Sequence, residues 1–392
     1  RIQGNPHDDV YPTMIETRVP SAPCAPYHDG PRLLADIGGT NARFALEFGP
    51  GRIGLIEVLR CADHAVLESA LRAYLSLPHV AAEGAVRHAA IAIANPVVGD
   101  LVRMTNHHWE FSISAVRHNM GFATFVVVND FTALAMALPH LGDCDKRQLG
   151  GRAPVGDEPI GLLGAGTGLG VSGLVPVPDT GDGLTRWASL RSEGGHATFA
   201  PADEIEVDIL QFAWREFRHV SAERLLSGAG LELIYRALCH RQGRTAEALV
   251  AADIMQRGLS GACPLCDEVL ETFCGVMGTV AGNLALTLGA QGGIYIGGGI
   301  VPRMGERFDR SCFRNRFEDK GRLGGYLAHI PCYVITVAYP AFTGVAAIRA
   351  KSKRAGTLEE TEAAVNPGGS VVTAIEDTEA GRPPVGAGEP VA

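Results

Sequence analysis

Positive charge is scarce in this sequence of 392 residues. Its 34 Lys and Arg residues are outnumbered by 43 Asp and Glu residues, which gives a formal net charge of -9. The basic residues are scattered along the chain and form no cluster of the kind that binds a phosphate backbone. The composition therefore predicts that nucleic acid is not a partner of this protein.

Long apolar segments and a cysteine framework are missing as well. No stretch approaches the roughly 18 uninterrupted apolar residues of a transmembrane helix. The nine cysteines, an odd number spread through a long chain, do not form the framework of a disulfide-rich secreted domain. No basic and apolar signal segment is found near Arg1. We therefore expect a cytoplasmic protein without a membrane partner.

Apolar residues are abundant, at 46% of the chain, and the chain is longer than one hydrophobic core usually supports. Two domains are therefore expected. Both ends differ from the rest, because residues 1–31 hold six prolines and residues 351–392 hold no aromatic residue. We predict an irregular or disordered N-terminal extension over 1–31 and a disordered C-terminal tail over 351–392.

Between these ends, apolar runs typical of strands alternate with helical patterns, which indicates an α/β fold. Strands are predicted at RLLADIG, AAIAIAN, TFVVVND, IGLLGAG and GGIYIGGG. Helices are predicted over residues 131–138, 204–219, 221–238 and 262–288, with Ser221 as an N-cap residue. The order strand, glycine turn, strand occurs at LLADIGGTNARFAL and again at IGLLGAGTGLGVSGLV. This repeat predicts two similar halves that face each other.

Glycine turns allow positive φ and let successive backbone N–H groups converge on an anion such as phosphate. In DIGGTNARFAL, Asp36 would repel a phosphate unless a cation such as Mg²⁺ lies between them; a plain tight hairpin is the alternative. The second turn, residues 164–170, lacks the Gly-Lys-Ser/Thr of the Walker pattern, and Leu169 occupies the last glycine position of the dinucleotide pattern. Gly297–Gly299 form either a ligand-binding turn at a strand end or a structural turn.

An acid stands where the strand TFVVVND ends and a helical pattern begins. Asp130 is either the N-cap of that helix or a general base that accepts a hydroxyl proton during phosphoryl transfer. In the second case Asn129 beside it would be a ligand of the hydroxyl group.

Further downstream, RSEGGHATFAP and VSAERLLSG contain Glu193, His196 and Glu223. Carboxylates and imidazole suit a polyhydroxylated substrate, since each sugar hydroxyl both donates and accepts hydrogen bonds. A zinc site is the alternative, but no second His stands at ligand spacing. Cys263 and Cys266 have CxxC spacing without a second pair, which favours packing of free thiols at a helix start over a zinc or redox site.

These motifs, taken in order, resemble the bacterial glucokinase family, the ATP-dependent hexose kinases distinct from the ROK type. The resemblance covers about residues 33–336 through DIGGTNARFAL, MTNHHWEFS, VVNDFTALAMALP, GAGTGLG, EGGH, HVSAERLLSGAGL, GGIYIGGGIVPR and FEDKGR. A ROK enzyme would be expected to carry a cysteine-rich zinc motif after its sugar-binding His, and none follows His196.

The resemblance implies a two-domain α/β fold of the actin-like ATPase and hexokinase (ribonuclease H-like) type, with a cleft between the domains. The small domain is expected over residues 32–140, completed by about 338–350, and the large domain over 141–337. The resemblance also implies a phosphotransferase that converts D-glucose and ATP to glucose 6-phosphate in glycolysis, with Mg²⁺ as cofactor and a homodimer as the assembly.

Individual residues take roles by the same resemblance. Asp130 matches the catalytic base, and the ligands of the sugar hydroxyls are expected to be Asn129, Asp130, Glu193, His196 and Glu223. The nucleotide is expected to contact two hairpins and a third turn, at Ala35, Asp36, Ile37, Gly38, Gly39, Thr40, Gly166, Thr167, Gly168, Gly298 and Gly299. Asp36 is expected to bind Mg²⁺ indirectly, and Ala35 stands where the family commonly has Gly.

Three other functions stay open at this point. A kinase of the same fold could act on another hexose, such as mannose or glucosamine. A non-catalytic sugar-sensing regulator is disfavoured by the presence of Asp130 and by a lead-in too irregular for a helix-turn-helix domain. An actin-like protein that binds nucleotide and polymerises is the third alternative.

Overall fold

The computed structural model describes residues 25–105, 107–177 and 185–354. Most of the extension predicted over residues 1–31, and most of the tail predicted over 351–392, lie outside the described residues. Residues 25–31 contain no helix or strand, and the Tyr27 N–H donates to the Phe48 carbonyl at 2.9 Å. This short segment therefore lies against the end of the strand that contains Phe48.

Two mixed β-sheets form the frame of the molecule. The first sheet has the spatial order β3 (Arg52–Arg60), β2 (Asn41–Gly49), β1 (Arg32–Ile37), β4 (His88–Ile93) and β7 (Thr124–Asn129). The second has the order β11 (Arg186–Ser189), β10 (Leu169–Val177), β9 (Ile160–Ala165), β12 (Ile294–Gly297), β13 (Cys332–Ile335) and β8 (Lys146–Leu149). A separate hairpin pairs β5 (Leu101–Arg103) with β6 (Glu110–Ser112).

The two sheets repeat one topology. In the first, β1 pairs antiparallel with β2 and parallel with β4, which pairs parallel with β7. In the second, β9 pairs antiparallel with β10 and parallel with β12, which pairs parallel with β13. All five strands predicted from the sequence are present, and the predicted repeat of strand, glycine turn and strand is confirmed as the hairpins β1–β2 and β9–β10.

The connecting segments are mostly helical. In chain order the α-helices of the described residues are α1 (Leu67–Leu75), α2 (Pro78–Ala81), α3 (Ile113–Met120), α4 (Asp130–Ala137), α5 (Glu204–Ala213), α6 (Gly228–Arg241), α7 (Ala251–Leu259), α8 (Pro264–Leu288), α9 (Val301–Met304), α10 (Glu306–Asp309), α11 (Phe313–Glu318), α12 (Gly324–Leu327) and α13 (Pro340–Arg354). The predicted helices over 131–138 and 262–288 are confirmed within two residues at each end.

The prediction of one helix over 221–238 is wrong. Ser221 precedes a short 3-10 turn, Ala222–Arg224, and its side chain makes no capping hydrogen bond. The α-helix begins only at Gly228, where the Ser227 hydroxyl accepts the Gly230 N–H at 3.1 Å. The break has a tertiary cause, because the Gly228 N–H donates to the Gly166 carbonyl at 2.9 Å. The helix predicted over 204–219 likewise ends early, at Ala213.

Helix α8 is long and apolar enough to cross a membrane by length and composition. In the structure most of its apolar window is buried inside the protein. Its side chains pack in the core between the second sheet and the helices that cover it, through Val269, Phe273 and Met277. We therefore describe α8 as the central core helix of the second half.

The last helix returns to the first sheet. Phe342 and Val345 of α13 pack with Leu34 of β1 and Ala90 of β4. Helices α13 and α4 approach closely at Gly344, where an added Cβ would overlap the Ala133 carbonyl oxygen. We therefore propose that α13 completes the small domain of residues 32–140 and that residues 141–337 form the large domain.

Helix α4 lies between the two sheets. Its residue Ala133 belongs to the cluster formed with α13 and the first sheet. Phe131, Leu134 and Leu138, at helical spacing on another face, pack with residues of the second sheet such as Leu162. The helix that begins with the predicted catalytic acid therefore contacts both halves of the molecule.

Candidate active site

Asp130 and Asn129 stand at the carboxyl end of β7, where open α/β sheets bind their ligands. The Asn129 side chain is the N-cap of α4, since its Oδ1 accepts the Thr132 N–H at 3.1 Å. The alternative in which Asp130 caps the helix is therefore wrong. The Asp130 Oδ1 instead accepts the Phe131 N–H at 2.8 Å and the Asn129 Nδ2–H at 2.9 Å.

The Asp130 carboxyl group is largely buried, and burial raises its pKa to about 6. The nearby charge of Asp36 raises the pKa further, while the hydrogen bonds from Phe131 and Asn129 lower it. A carboxylate with a pKa close to neutrality is well suited to accept a proton at physiological pH. Burial and the raised pKa therefore make Asp130 a candidate general base.

Asp36 lies near the end of β1, opposite Arg43 in the β1–β2 register. The Arg43 Nη1–H donates to Asp36 Oδ2 at 3.2 Å. Burial raises the pKa of Asp36, and the Arg43 guanidinium opposes that shift. A buried carboxylate with one cationic neighbour is a suitable oxygen donor toward Mg²⁺ or its bound water, so this residue fits the predicted metal role.

The first glycine turn consists of Gly38, Gly39 and Thr40. The Gly38 N–H donates to the Asn41 carbonyl at 2.9 Å and closes the hairpin. The predicted positions Ala35 and Ile37 belong to β1, and both side chains are fully buried in the core of the first sheet. Ala35 is not at positive φ, and its methyl group lies in the core of the first sheet.

The second glycine turn is tied to a predicted sugar ligand. The Gly166 N–H donates to the Gly168 carbonyl at 2.8 Å, which closes the turn around Thr167. The Leu169 N–H donates to Glu223 Oε2 at 2.9 Å. A Cβ added to Gly168 would lie 2.5 Å from the same oxygen. Glycine at this position is therefore a requirement of the contact with Glu223.

The third glycine cluster lies against the second. Gly298 has a φ of +82°, and an added Cβ would overlap the backbone of Ala165. The Ile300 N–H donates to the Ala165 carbonyl at 3.1 Å. The structure thus brings the predicted nucleotide positions Gly166 and Gly298–Gly299 to one place, at the carboxyl ends of β9 and β12.

His196 and Glu223 come together through backbone pairing. Glu193 directly precedes the 3-10 turn Gly194–His196. The Ala222 N–H donates to the Ala197 carbonyl at 2.9 Å, next to a β-bridge between Thr198 and Ser221. His196 and Glu223 therefore line one cavity of about 340 Å³, together with Glu216, Phe217, Arg218, His219, Ser221 and Arg224.

Sequence reasoning missed Asn95, which stands just after the end of β4, the strand that lies between β1 and β7 in the first sheet. The Asn129 Nδ2–H donates to the Asn95 carbonyl at 3.4 Å. The Asn95 Oδ1 accepts the Thr105 hydroxyl at 2.7 Å and the Thr105 N–H at 3.0 Å. Asn95 thus links Asn129 to the loop before β6. The signal was available, because AAIAIAN also ends with a polar residue at the edge where β1 and β7 end.

The described part of the chain does not support the alternative of a zinc site. Within residues 25–105, 107–177 and 185–354, no three or more His, Cys, Asp or Glu side chains are arranged to hold a metal ion. Cys263 is the N-cap residue of α8, and Cys266 is fully buried in its first turn. Both are free thiols in the structure.

Comparison with known proteins adds independent information. The family model described as Glucokinase matches residues 33–352. The glucokinase of Chromobacterium violaceum is 57% identical over 317 residues, 81% of this chain and 88% of that protein. The Paraburkholderia xenovorans protein named "Bifunctional protein glk" is 56% identical over 348 residues, 88% of this chain but 53% of that protein. The chain thus spans about half the length of the bifunctional relatives that it matches.

A solved structure supports the same assignment. The crystal structure of a glucokinase from an Antarctic psychrotroph has a TM-score of 0.73 and 37% sequence identity, and covers 82% of this chain and 99% of that one. This similarity confirms the predicted two-domain actin-like hexokinase fold. Because the family model covers most of the chain and the identity to full glucokinase sequences exceeds one half, this chain belongs to the glucokinase family.

Proposed function

We propose that this chain transfers the γ-phosphoryl group of ATP to the 6-hydroxyl group of glucose. The observation on which the proposal depends is the Asp130 carboxyl group at the carboxyl end of β7, where burial raises its pKa to about 6. Such a base accepts the hydroxyl proton while the oxygen attacks phosphorus. The Chromobacterium violaceum relative, which is named a glucokinase, supports the same reaction.

The other residues have roles that their chemistry suits. Asn129, Glu193, His196 and Glu223 would bind the hydroxyl groups that do not react. The backbone N–H groups of the two glycine turns would bind the phosphates. Asp36 would hold Mg²⁺ through bound water, and the ion supplies compensation of the phosphate charge when it is bound. Closure of the cleft would exclude water and prevent hydrolysis of ATP.

A panel of sugars with ATP and Mg²⁺, monitored by coupled ADP release, tests this proposal. ADP release is expected to require sugar and to show the highest kcat/KM with glucose. A higher kcat/KM with mannose or glucosamine would indicate the alternative kinase. ADP release with none of the sugars would favour the sugar-sensing regulator, and light scattering that increases with ATP would favour the polymerising protein.

The pH dependence of the reaction follows from the raised pKa of Asp130. Below about pH 6 the carboxyl group is protonated in the free enzyme and cannot act as a base. The kcat/KM for glucose is therefore expected to decrease about tenfold per pH unit on the acidic side and to level off above neutrality. A profile that stays flat from about pH 5 to 7 would contradict the role of Asp130 as the base.

The contact between Gly168 and Glu223 predicts that a single substitution weakens the binding of both glucose and ATP. In Gly168→Ala the methyl group would displace the Glu223 carboxylate from the Leu169 N–H. A charge-assisted hydrogen bond of this kind stabilises by about 1.5–3 kcal/mol. The KM values for glucose and for ATP are therefore both expected to rise, by about 10-fold or more.

Gly156→Ala is the matched control, because an added Cβ at Gly156 meets nothing within 4 Å. Steady-state kinetics of the two variants should differ in both KM values. An unchanged KM for glucose in Gly168→Ala would show that Glu223 is not held by this hairpin.

We also propose the homodimer and the cytoplasmic location that the family resemblance and the composition predict. The membership of the chain in the glucokinase family supports both. Analytical ultracentrifugation of the full chain tests the first, with a dimer mass expected. Fractionation of cells that express the protein tests the second.

A further inference from the structure

The aromatic side chain next to Asp130 packs on the second glycine hairpin. Gly164 of β9 and Gly170 of β10 are direct partners in the strand register. A Cβ added to Gly164 would lie 2.5 Å from the Phe131 Cζ atom, and one added to Gly170 would overlap the same ring. The Phe131 ring therefore occupies the space that two side chains would otherwise fill, and only this glycine pair accommodates it.

One turn further along α4, Leu134 makes a related contact. A Cβ added to Gly297, the last residue of β12, would lie 3.2 Å from the Leu134 Cδ2 atom. Residues three apart share a helix face. This face of α4 therefore packs on the β9–β10 hairpin and on β12, the elements that lead into the predicted nucleotide turns.

Phe131 is also linked to Asp130, the proposed base, through its backbone N–H. The Phe131 N–H donates to the Asp130 Oδ1 at 2.8 Å, so the residue that is seated on the hairpin also orients the carboxylate. The opposite face of α4 is fixed by the close approach of Gly344 to the Ala133 carbonyl. The start of α4 is therefore held from both sides, with Phe131 as its contact toward the nucleotide side.

We propose that Phe131 is a positioning residue. By packing on Gly164 and Gly170, its ring fixes the Asp130 carboxylate relative to the β9–β10 hairpin, which would bind the ATP phosphates. This inference rests on the proposed function. Proton acceptor, hydroxyl oxygen and phosphorus must be aligned for transfer, and a misplacement of about 1 Å can reduce the rate by about 10²-fold. The glycines at 164 and 170 thus serve the aromatic seat, whereas those at 166 and 168 shape the turn.

The test makes the Phe131 side chain smaller and the Gly170 side chain larger, first separately and then together. Phe131→Leu removes the ring, and Gly170→Ala pushes it away, so each is expected to lower kcat by about 10-fold to 10²-fold. The KM for glucose should change less than kcat does, since Glu193, His196 and Glu223, three of the proposed sugar ligands, belong to other elements. In the double variant the smaller leucine leaves room for the added methyl group, and kcat is expected to recover above that of Gly170→Ala alone.

Phe308→Leu is the matched control. Phe308 is a buried aromatic residue of α10 in a separate core cluster, and replacing it by leucine should lower the melting temperature without lowering kcat. Circular dichroism verifies folding of each variant, and Phe131→Met replaces Phe131→Leu if the latter does not fold.

The outcomes separate the inference from the function on which it rests. If Asp130→Asn is inactive while folded Phe131 variants keep the kcat of the unaltered chain, the positioning role is wrong and the proposed function stands. If the double variant is no better than Gly170→Ala, the seat does not control alignment, and the inference is likewise overturned. If the unaltered chain releases no ADP with glucose, ATP and Mg²⁺, the proposed function itself fails.

Discussion

The Asp130→Asn variant is expected to phosphorylate glucose with a kcat about 10²- to 10⁴-fold below that of the unaltered chain. Asparagine has the same shape as aspartate and can still accept the Phe131 N–H that Asp130 accepts at 2.8 Å. It cannot accept the proton of the 6-hydroxyl group. The loss should therefore appear mainly in kcat, measured by ADP release at saturating glucose and ATP.

Stability separates this loss from misfolding. Burial raises the pKa of Asp130 to about 6, so near neutral pH its ionised form destabilises the folded state relative to the unfolded chain. A neutral side chain removes that penalty. Asp130→Asn is therefore expected to melt at a higher temperature than the unaltered chain at pH 8, although it is nearly inactive. This difference should begin to shrink as the pH falls through about 6 and should vanish only below the ordinary pKa of 3.8, where Asp130 is neutral in both states.

Asp143→Asn is the matched control, because Asp143 is exposed in the turn that precedes β8. It should leave both kcat and the melting temperature unchanged. A normal kcat in Asp130→Asn would mean that another group accepts the proton. An inactive variant that melts well below the unaltered chain would mean that Asp130 is a structural residue.

The sequence was sufficient to predict the two acids at strand ends. Asp36 and Asp130 follow short apolar runs, and the carboxyl ends of parallel strands meet at one edge of a sheet. The repeat of strand, glycine turn and strand also predicted the two matching sheets, because it records local alternation and turn chemistry. Both inferences depend on residues close together in the chain.

Contacts between distant segments were beyond such reasoning. The helix predicted from Ser221 begins at Gly228, because a carbonyl of the hairpin at Gly166 binds the Gly228 N–H. Periodicity in residues 221–238 contains no information on that partner. The seat of Phe131 likewise requires the register that places Gly164 opposite Gly170. The polar end of AAIAIAN marked Asn95, but its contact with Asn129 depends on the pairing of β4 with β7.

A second large effect is expected at a buried ion pair that joins distant parts of the chain. The Arg349 Nη2–H of α13 donates to Glu47 Oε2 of β2 at 2.9 Å, and both side chains are at most 5% exposed. The same nitrogen donates to the Tyr27 hydroxyl at 2.8 Å. Burial, together with the Glu47 charge, raises the pKa of Tyr27 to about 12. The residues before β1, the first sheet and the last helix therefore meet here.

Replacing Glu47 by alanine is expected to reduce the free energy of unfolding by about 3–5 kcal/mol, since it leaves the Arg349 guanidinium buried without its counter-charge. Urea denaturation followed by circular dichroism measures the change. The double variant Glu47→Leu, Arg349→Met removes both charges and is expected to recover most of the stability, because apolar residues of similar volume replace a buried pair at little cost.

Glu110→Ala provides the contrast, because Glu110 pairs with Arg103 on the exposed β5–β6 hairpin, where screening by water leaves ion pairs with little effect. Equal stability of Glu47→Ala and Glu110→Ala would show that α13 is not held by this pair. If the double variant Glu47→Leu, Arg349→Met is as unstable as Glu47→Ala, the loss of stability comes from altered packing at β2 and not from the unpaired charge. With the expected result, α13 belongs to the first sheet energetically as well as geometrically. Through Gly344 and Ala133 it then supports the helix that presents Asp130.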